Sequence, residues 1–190
     1  MKIVYQGSPG AYSHLAADKI YPKDEFVSCN TFEDCFKKCY ENEEYKTIIP
    51  VENSIAGRVA DIQYLINKYK LQIYAEHFQE IKHNLMILKD NDLKNVKSVR
   101  SHSQAISQCQ KLINSNKFEP IIAADTVGSA KCISEKKIKN EAAIASELAA
   151  KIYNLKIVKK NIEDNQSNVT RFLIMGKKKI HPEFKNKNYI

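Results

Sequence analysis

The sequence predicts an α/β fold, because a short apolar strand, a small polar loop and an amphipathic helix follow one another four times along the chain. A long stretch rich in β-forming residues, 71–87, interrupts this repetition. It predicts two antiparallel strands that carry the chain from a first lobe into a second. A return crossing near residues 161–168 would bring a closing strand, residues 169–175, back to the first lobe, with a cleft between the lobes.

These crossings predict a discontinuous first lobe with the second lobe inserted into it. We expect residues 1–75 and 168–178 in the first lobe, residues 76–167 in the second, and a Lys- and Asn-rich tail over residues 179–190. Within the lobes, the strand–loop–helix order predicts a largely parallel sheet.

The four units are predicted in chain order, and small polar residues dominate the loop of each. The strand and helix ranges are 3–5 and 12–20, 47–51 and 59–67, 96–100 and 104–114, and 121–124 and 127–134. An Ala-rich stretch, residues 141–153, has apolar residues spaced by three and four, and this period predicts a further helix.

The composition is that of a globular protein. The 190 residues can bury a real core, and 43% hydrophobic with 27% charged residues is unlike a disordered chain. No apolar run reaches membrane-spanning length, and the N-terminus leads directly into a strand, so neither an anchor nor a signal peptide is expected. The sequence therefore predicts a soluble, cytoplasmic protein.

The net charge of +8 raises the possibility of a nucleic-acid partner, but the lysines are spread along the chain with one cluster at residues 177–179. No arginine-rich arm, zinc knuckle or aromatic platform motif accompanies them, so nucleic-acid binding is disfavoured. A small acidic substrate would also gain from a positive field.

Cofactor and metal motifs are missing from the sequence. The five cysteines lack zinc-site spacing and predict free, partly buried thiols, and the five histidines are scattered, so no metal is expected. Neither a GxGxxG fingerprint nor a GxxxxGK[ST] loop occurs, which disfavours dinucleotides and nucleoside triphosphates. The pattern indicates a site that works without a cofactor.

Near the C-terminus, Thr170 and Arg171 stand side by side at the start of an apolar strand. Arginine is rare in this chain, with three among 30 basic residues, and its planar fork suits a carboxylate or a phosphate. The alternative is an ordinary strand with Arg171 in solvent. Strand alternation puts Thr170 and Phe172 on one face and Arg171 on the other, so Arg171 would reach the cleft only at the rim of the strand.

In open α/β sheets, ligands bind beyond the carboxyl ends of the strands, where loops lead into helix N-termini that favour anions. Polar side chains are available at these junctions: Ser8, Asn53, Ser54, Ser101, Ser103 and Thr126. Each alone is equally a helix N-cap. Together with Thr170 and Arg171 they predict a cleft for a small organic anion, including one with two carboxylates.

Six motifs in order resemble those of the prephenate dehydratases, over roughly residues 3–176. They are Tyr5-Gln6-Gly7-x-x-Gly10-Ala11-Tyr12-Ser13, Pro50-Val51-Glu52-Asn53-Ser54-x-x-Gly57, Ser101-His102-x-Gln104-Ala105-x-x-Gln108-Cys109, Ala124-Asp125-Thr126, Ala142-Ala143-Ile144-Ala145-Ser146 and Asn168-x-Thr170-Arg171-Phe172.

The resemblance implies cofactor-free conversion of prephenate, a dianion, to phenylpyruvate in phenylalanine biosynthesis. It also implies a two-lobed fold like that of type II periplasmic binding proteins, with the active site between the lobes, and a homodimer. The essential hydroxyl of the family falls on Thr170, and further active-site residues fall on Asn53, Ser101 and Gln108.

The remaining roles follow from chemistry added to the resemblance. Arg171 is the candidate clamp for a carboxylate, assisted by Thr126, and Ser54 and Phe172 are expected in the substrate site. The proton donor stays open, since Thr170 is a weak acid and could donate only a hydrogen bond to the departing oxygen. A buried Glu52 is a rival acid, and so is His102, whose alternative role is that of a surface or capping histidine.

Several residues depart from the family pattern, and Val127-Gly128, after Thr126, differs from the commoner run of small residues. Arg58 stands where a small residue is common and could add positive charge at the cleft, and Ser103 replaces a usual proline. The usual C-terminal ACT regulatory domain does not follow, so the chain is expected to be either a stand-alone catalytic domain or a piece of a longer chain. An arogenate dehydratase and a non-enzymatic binder of anionic solutes remain as alternative functions.

Overall fold

The computed structural model describes residues 1–178, which form two mixed sheets with helices on their faces. This is the two-lobed α/β architecture that the sequence predicts. The tail predicted over residues 179–190 lies outside the described residues.

The first lobe is built on a sheet with the strand order β2-β1-β3-β11-β5, and β4 pairs with β3. β1 is parallel to its neighbours, whereas β11 runs antiparallel to β3 and β5. The strands are β1 (Lys2–Gln6), β2 (Glu25–Cys29), β3 (Tyr45–Asn53), β4 (Gly57–Arg58), β5 (Gln72–Glu80) and β11 (Val169–Gly176). The helices are α1 (Tyr12–Ile20), α2 (Phe32–Glu41) and α3 (Ile62–Tyr69).

The second lobe is built on a sheet with the strand order β10-β6-β9-β7-β8, in which β7 is parallel to both β8 and β9. The strands are β6 (Asn84–Leu88), β7 (Ser98–His102), β8 (Glu119–Ala123), β9 (Glu141–Ala145) and β10 (Leu155–Lys159). The helices are α4 (Ser103–Ser107), α5 (Gln110–Asn116), α6 (Thr126–Lys136) and α7 (Glu147–Ile152), and a short 3-10 turn covers Leu93–Asn95.

The boundary expected after residue 75 falls inside β5, because all of β5 pairs with β11 as far as the pair Glu80 and Val169. The two sheets are joined by one crossing after Glu80 and another that returns before Val169. These crossings run side by side, since the Ile81 amide donates to the Asn168 carbonyl at 2.8 Å.

The helix predicted over residues 141–153 is wrong in its first half, which is strand β9. β9 lies at the centre of the second sheet, and Ala142 to Ala145 are fully buried. A continuous apolar run buried on both faces satisfies the helical and the strand period equally, so the sheet position decides. Ser146 then caps α7, accepting a hydrogen bond from the Ala149 amide at 3.0 Å.

The helix predicted over residues 104–114 is interrupted at Cys109, whose backbone (φ −126°, ψ 29°) is not helical. The break separates α4 from α5 and leaves Gln108 at the C-terminal end of α4. The returning crossing packs into this break, because the Asp164 amide donates to the Gln108 carbonyl at 2.6 Å.

The lobes also touch near the N-terminus of α1. A Cβ on Gly10 would lie 2.9 Å from the Ala149 Cα, and Gly10 has φ +100°, so this approach requires glycine. The Tyr153 hydroxyl of the second lobe donates to the Pro9 carbonyl of the first at 3.1 Å. These contacts fix one edge of the cleft.

Each lobe has apolar side chains buried on both faces of its sheet. All five cysteines are free thiols, and four of them are buried, as the sequence predicts. Burial raises the pKa of the Cys39 thiol to about 12. Within residues 1–178, none of the helices combines the length and the apolar character needed to cross a membrane.

Candidate active site

A cavity of about 770 Å³ lies between the lobes, and residues from both sheets line it. It opens at the carboxyl ends of β1, β3, β7 and β8, where loops and helix N-termini of an α/β sheet receive ligands. The site residues predicted from the sequence divide into those that line this cavity and those that do not.

Thr170 lines the cavity and is 8% exposed. It pairs with Asn53 across β11 and β3, and its Oγ1 accepts a hydrogen bond from Asn53 Nδ2 at 2.9 Å. Within residues 1–178, no acceptor takes the hydroxyl proton of Thr170. That proton is therefore available to a molecule in the cavity.

Backbone amides fix the orientation of the Asn53 side chain. Its Oδ1 accepts hydrogen bonds from the backbone amides of Ile55 at 3.0 Å and Ala56 at 2.9 Å. Backbone N–H groups can only donate, so the amide orientation is fixed and Nδ2 must be the donor. Nδ2 reaches Thr170 Oγ1 and, at 2.8 Å, Asn168 Oδ1.

A chain of hydrogen bonds continues from Asn168 into the second lobe. Asn168 Nδ2 donates to Gln108 Oε1 at 2.9 Å, and His83 Nε2 lies 2.8 Å from the same oxygen. The Tyr12 hydroxyl lies 2.7 Å from His83 Nδ1. All four residues line the cavity.

Both titratable members of this chain are neutral near pH 7. Burial lowers the pKa of the His83 imidazole, opposed by its hydrogen bond to Gln108 and the charge of Glu163. Burial raises the pKa of the Tyr12 hydroxyl well above its ordinary value. The sequence motifs predict a role for Gln108 but none for Tyr12 and His83. A histidine between two predicted strands was the available signal.

Arg171, the predicted carboxylate clamp, does not line the cavity, and the structure does not bring it together with Thr170. Its Nε and Nη2 both lie 2.7 Å from Glu76 Oε2, on the face of the sheet opposite to Thr170. The cause is strand alternation, since β11 stays regular between Thr170 and Arg171. Arg171 therefore lies on the outer surface.

Arg58, and not Arg171, lines the cavity. It follows a turn at Gly57 (φ +81°) that folds β4 back onto β3, and it is the only arginine or lysine that lines the cavity within residues 1–178. In the same part of the chain, its guanidinium has no carboxylate within ion-pair distance. Among the residues that the structure describes, the cavity thus has one guanidinium, that of Arg58, without a carboxylate partner.

Two predicted serines serve the fold instead of the cavity. Ser101 is fully buried and donates to the Ile144 carbonyl at 2.7 Å, which ties β7 to β9. Ser54 donates to the Ser167 carbonyl at 2.8 Å and accepts from the Val169 amide at 3.0 Å. Neither hydroxyl lines the cavity.

The rival acids differ in position. Glu52 is exposed on the outer side of β3, next to Arg171 in the register, so the burial that would make it an acid is absent. His102 lines the cavity, but its Nδ1 accepts from the Gln104 amide at 3.2 Å and caps α4. His102 is therefore a capping histidine, the alternative role predicted for it from the sequence.

The α6 N-terminus also reaches the cavity, through Thr126, and Phe172 forms part of the wall at 1% exposure. The N-cap of α6 is Asp125, whose Oδ1 accepts from the Gly128 amide at 2.6 Å. This carboxylate also lines the cavity and offsets the positive end of the helix. The site therefore contains one carboxylate, that of Asp125, in addition to the positively charged Arg58.

A family model described as prephenate dehydratase matches residues 3–180. An arogenate dehydratase/prephenate dehydratase of Arabidopsis thaliana is 36% identical over 96% of this chain and 48% of its own length. A bifunctional N-acyl-homoserine lactone acylase/prephenate dehydratase of Komagataeibacter europaeus is 34% identical over 93% of this chain and 63% of its own. The chain spans about half the length of the plant relatives it matches.

Solved structures share the fold. One described as a novel type of quorum quenching acylase has a TM-score of 0.89 at 33% identity, covering 95% of this chain and 65% of its own. A prephenate dehydratase of Staphylococcus aureus has a TM-score of 0.79 at 25% identity, and the match covers 93% of this chain and 67% of the other. The described fold is thus found in enzymes of this type.

Proposed function

Since the chain belongs to the prephenate dehydratase family, we propose that it converts prephenate to phenylpyruvate, releasing water and carbon dioxide. The observation that carries the proposal is the Thr170 hydroxyl, which lines the cavity between the lobes and has no acceptor for its proton within residues 1–178. In this proposal the residues of the chain act without a cofactor.

The chemistry needs little from the enzyme beyond orientation and a hydrogen-bond donor. The bond from the ring to its carboxylate breaks, its electrons complete the aromatic ring, and the ring C–O bond breaks as the hydroxyl leaves. One proton is taken up, so that prephenate dianion and H⁺ give phenylpyruvate anion, carbon dioxide and water. Charge develops on the departing oxygen, and a fixed donor there lowers the barrier.

Thr170 fits that donor role because Asn53 already donates to its Oγ1. A hydroxyl that accepts one hydrogen bond becomes a better donor of its own proton. The Asn53 amide is in turn anchored by two backbone amides, so the Thr170 hydroxyl is held in place before substrate binds.

We assign the carboxylate fork to Arg58, in place of Arg171. An unpaired guanidinium in a partly enclosed cavity favours a carboxylate and can bind it through two parallel hydrogen bonds. The side-chain amide of Gln108 adds a neutral donor on the opposite lobe. The two carboxylates of prephenate can thereby be held from both lobes.

The test is incubation of the protein with prephenate, followed by the absorbance of phenylpyruvate in alkali. We expect turnover well above the spontaneous reaction, lost in Thr170→Ala. A rate equal to the spontaneous background would overturn the enzyme and leave a binder of anionic solutes, for which titration calorimetry with prephenate would still report heat.

Arogenate is a second candidate substrate, and Asp125 is the observation that favours it. Arogenate carries an ammonium group where prephenate has a keto group, and the Asp125 carboxylate lines the cavity. Relatives named arogenate dehydratase share 34 to 36% identity with this chain. A carboxylate facing the ammonium would favour arogenate, whereas it would repel a dianion.

Asp125→Asn distinguishes the two substrates, because asparagine keeps the N-cap of α6 and removes only the charge. If arogenate is preferred, the variant should lower kcat/KM for arogenate about tenfold and leave or raise kcat/KM for prephenate. Equal changes for both substrates would exclude Asp125 as the ammonium partner. The ratio of kcat/KM values is the measure of specificity.

We also propose a cytoplasmic homodimer, which rests on the resemblance to the family. Sedimentation velocity at several concentrations tests the assembly. A single species with the mass of one 21.8 kDa chain at all concentrations would contradict it.

A further inference from the structure

We propose that Tyr12 and His83 are positioning residues that orient the Gln108 side-chain amide, so that its Nε2 hydrogens face the cavity. The inference starts from hydrogen-bond directions, and only its kinetic test rests on the proposed function. Every link between Asn53 and Tyr12 has one permitted direction.

The direction is set first at the Asn53 end. Backbone amides donate to Asn53 Oδ1, so Asn53 Nδ2 donates to Asn168 Oδ1 at 2.8 Å. Asn168 therefore presents its own Nδ2 to Gln108, at 2.9 Å from the oxygen Oε1. A donor facing Gln108 requires an acceptor there, which fixes Oε1 in this position.

The same oxygen fixes the tautomer of His83. Its Nε2 lies 2.8 Å from Gln108 Oε1 and must carry the hydrogen. Burial lowers the pKa of His83, so the ring is neutral and has a single N–H. Nδ1 is then an acceptor, and the Tyr12 hydroxyl at 2.7 Å donates to it rather than to the Lys82 carbonyl at 3.0 Å.

Two donors thus converge on Gln108 Oε1, one from each end of the chain of hydrogen bonds. Within residues 1–178, no group accepts from Gln108 Nε2, and Gln108 lines the cavity. The amide consequently offers N–H donors to the cavity. An amide turned the other way would present its oxygen to an anionic ligand and would weaken binding.

The backbone that carries His83 is fixed independently of the ring. The His83 amide donates to Glu163 Oε2 at 2.9 Å, and its carbonyl accepts from the Ile162 amide at 2.9 Å. His83 is 3% exposed and Asn168 is 1% exposed, so water has little access to these links. A change at Tyr12 should therefore act through the hydrogen bond to His83 Nδ1 rather than through movement of the strand.

The direct test is an NMR spectrum of the histidine ring nitrogens, recorded without substrate near neutral pH. We expect His83 in the wild-type protein as the neutral tautomer with the hydrogen on Nε2. In Tyr12→Phe, which keeps the ring but removes the donor, the Nε2–H tautomer should remain because Gln108 Oε1 still accepts from it, and the Nδ1 resonance should shift to that of an acceptor without a hydrogen bond. An unchanged Nδ1 resonance would contradict donation by Tyr12. A wild-type His83 with its hydrogen on Nδ1 would overturn the proposal.

The kinetic test compares Tyr12→Phe with Tyr153→Phe, a matched control. Tyr153 also donates from one lobe to a carbonyl of the other, at Pro9, but does not line the cavity. We expect kcat/KM to fall about fivefold in Tyr12→Phe, within the range of one neutral hydrogen bond, and to stay near wild type in Tyr153→Phe. Equal values for the two variants would count against positioning by Tyr12.

Rescue separates a donor role from simple packing. Glutamine at position 83 can place an amide donor where His83 Nε2 lies, whereas leucine fills the space without a donor. His83→Gln should retain most of the activity and His83→Leu should lose it about tenfold; equal losses would contradict the donor role. The NMR spectrum needs no substrate. The tautomer assignment can therefore fail while the dehydratase activity is found, and the activity can be absent while the tautomer is as proposed.

Discussion

Thr170 and Arg171 are neighbours in sequence, but they lie on opposite faces of β11 in different surroundings. Thr170 lines the cavity and is 8% exposed, with a fixed donor on its oxygen. Arg171 is exposed and paired with Glu76 on the outer surface. The comparison shows that adjacency in a motif does not mean a shared site, because strand alternation separates neighbouring side chains.

The two arginines near this sheet give the same lesson in terms of charge. Arg171 has a carboxylate partner in water, an arrangement that contributes little free energy and leaves no fork for a ligand. Arg58 has no carboxylate partner among the described residues and lines the cavity. In the proposed function, the positive charge that binds an anion therefore comes from the residue that departs from the family pattern.

The largest expected effect comes from removing the cavity-side hydroxyl. Thr170→Ala should lower kcat about a hundredfold to a thousandfold, the cost typical of losing one fixed donor to developing charge. Thr170→Ser keeps the hydroxyl and should retain a good part of the rate. Steady-state kinetics on prephenate, with circular dichroism to confirm folding, checks both. Equal losses in the alanine and serine variants would point to packing instead.

The next effect concerns the two arginines. Arg58→Lys should raise KM for prephenate about tenfold, because a point charge replaces a planar fork, with a smaller change in kcat. Arg171→Lys is the matched control and should leave KM within about twofold of wild type. If the two variants exchange these results, the fork belongs to Arg171 and the assignment to Arg58 is wrong.

A smaller effect is expected at Ser101, which the resemblance places in the active site and the structure buries. Ser101→Ala removes its hydrogen bond to the Ile144 carbonyl and should lower the free energy of unfolding by about 1 kcal/mol. Urea denaturation measures that loss, and kcat should change about twofold or less. A large fall in kcat at unchanged stability would instead indicate that Ser101 takes part in catalysis.

The smallest expected effect is a pH dependence of stability from His83. The groups facing its ring are the Tyr12 hydroxyl and the Gln108 amide, and Lys82 and Glu163 lie beside it. Burial lowers the pKa of His83, so the unfolded chain binds its proton more readily than the native chain. This contribution is present above about pH 6.5 and is lost as the pH falls through the native pKa.

Urea unfolding at pH 7.5 and pH 5.5 checks this sign. The wild-type protein should lose more unfolding free energy between the two pH values than His83→Gln, which has no titrating ring. An equal loss in both proteins would mean that His83 titrates alike in the folded and unfolded states.

Much of the fold followed from local pattern. α1 begins and ends where the sequence predicts, and the closing strand returns to the first sheet. The prediction of a helix at Glu141–Ala145 was wrong because a central strand buried on both faces has no amphipathic period that would distinguish it from a helix. The break at Cys109 was not predicted because it depends on the crossing segment that packs into it, and that contact joins residues distant in sequence.

The candidate site was predictable only where a motif names a residue. Thr170, Asn53 and Gln108, which the motifs name, line the cavity, and their roles in catalysis stay predictions. Tyr12 lies within a quoted motif and His83 between two predicted strands, but their contact could not be predicted, because it joins positions 71 residues apart. Their importance lies in hydrogen-bond direction, which only a three-dimensional structure reveals.

The most direct test of this account compares kcat on prephenate for Thr170→Ala and Arg171→Ala, two single truncations one residue apart. The account predicts that the Thr170 variant is at least about a hundredfold slower than the Arg171 variant, which should stay within about threefold of wild type. Similar kcat values for the two variants, or a slower Arg171 variant, would contradict it.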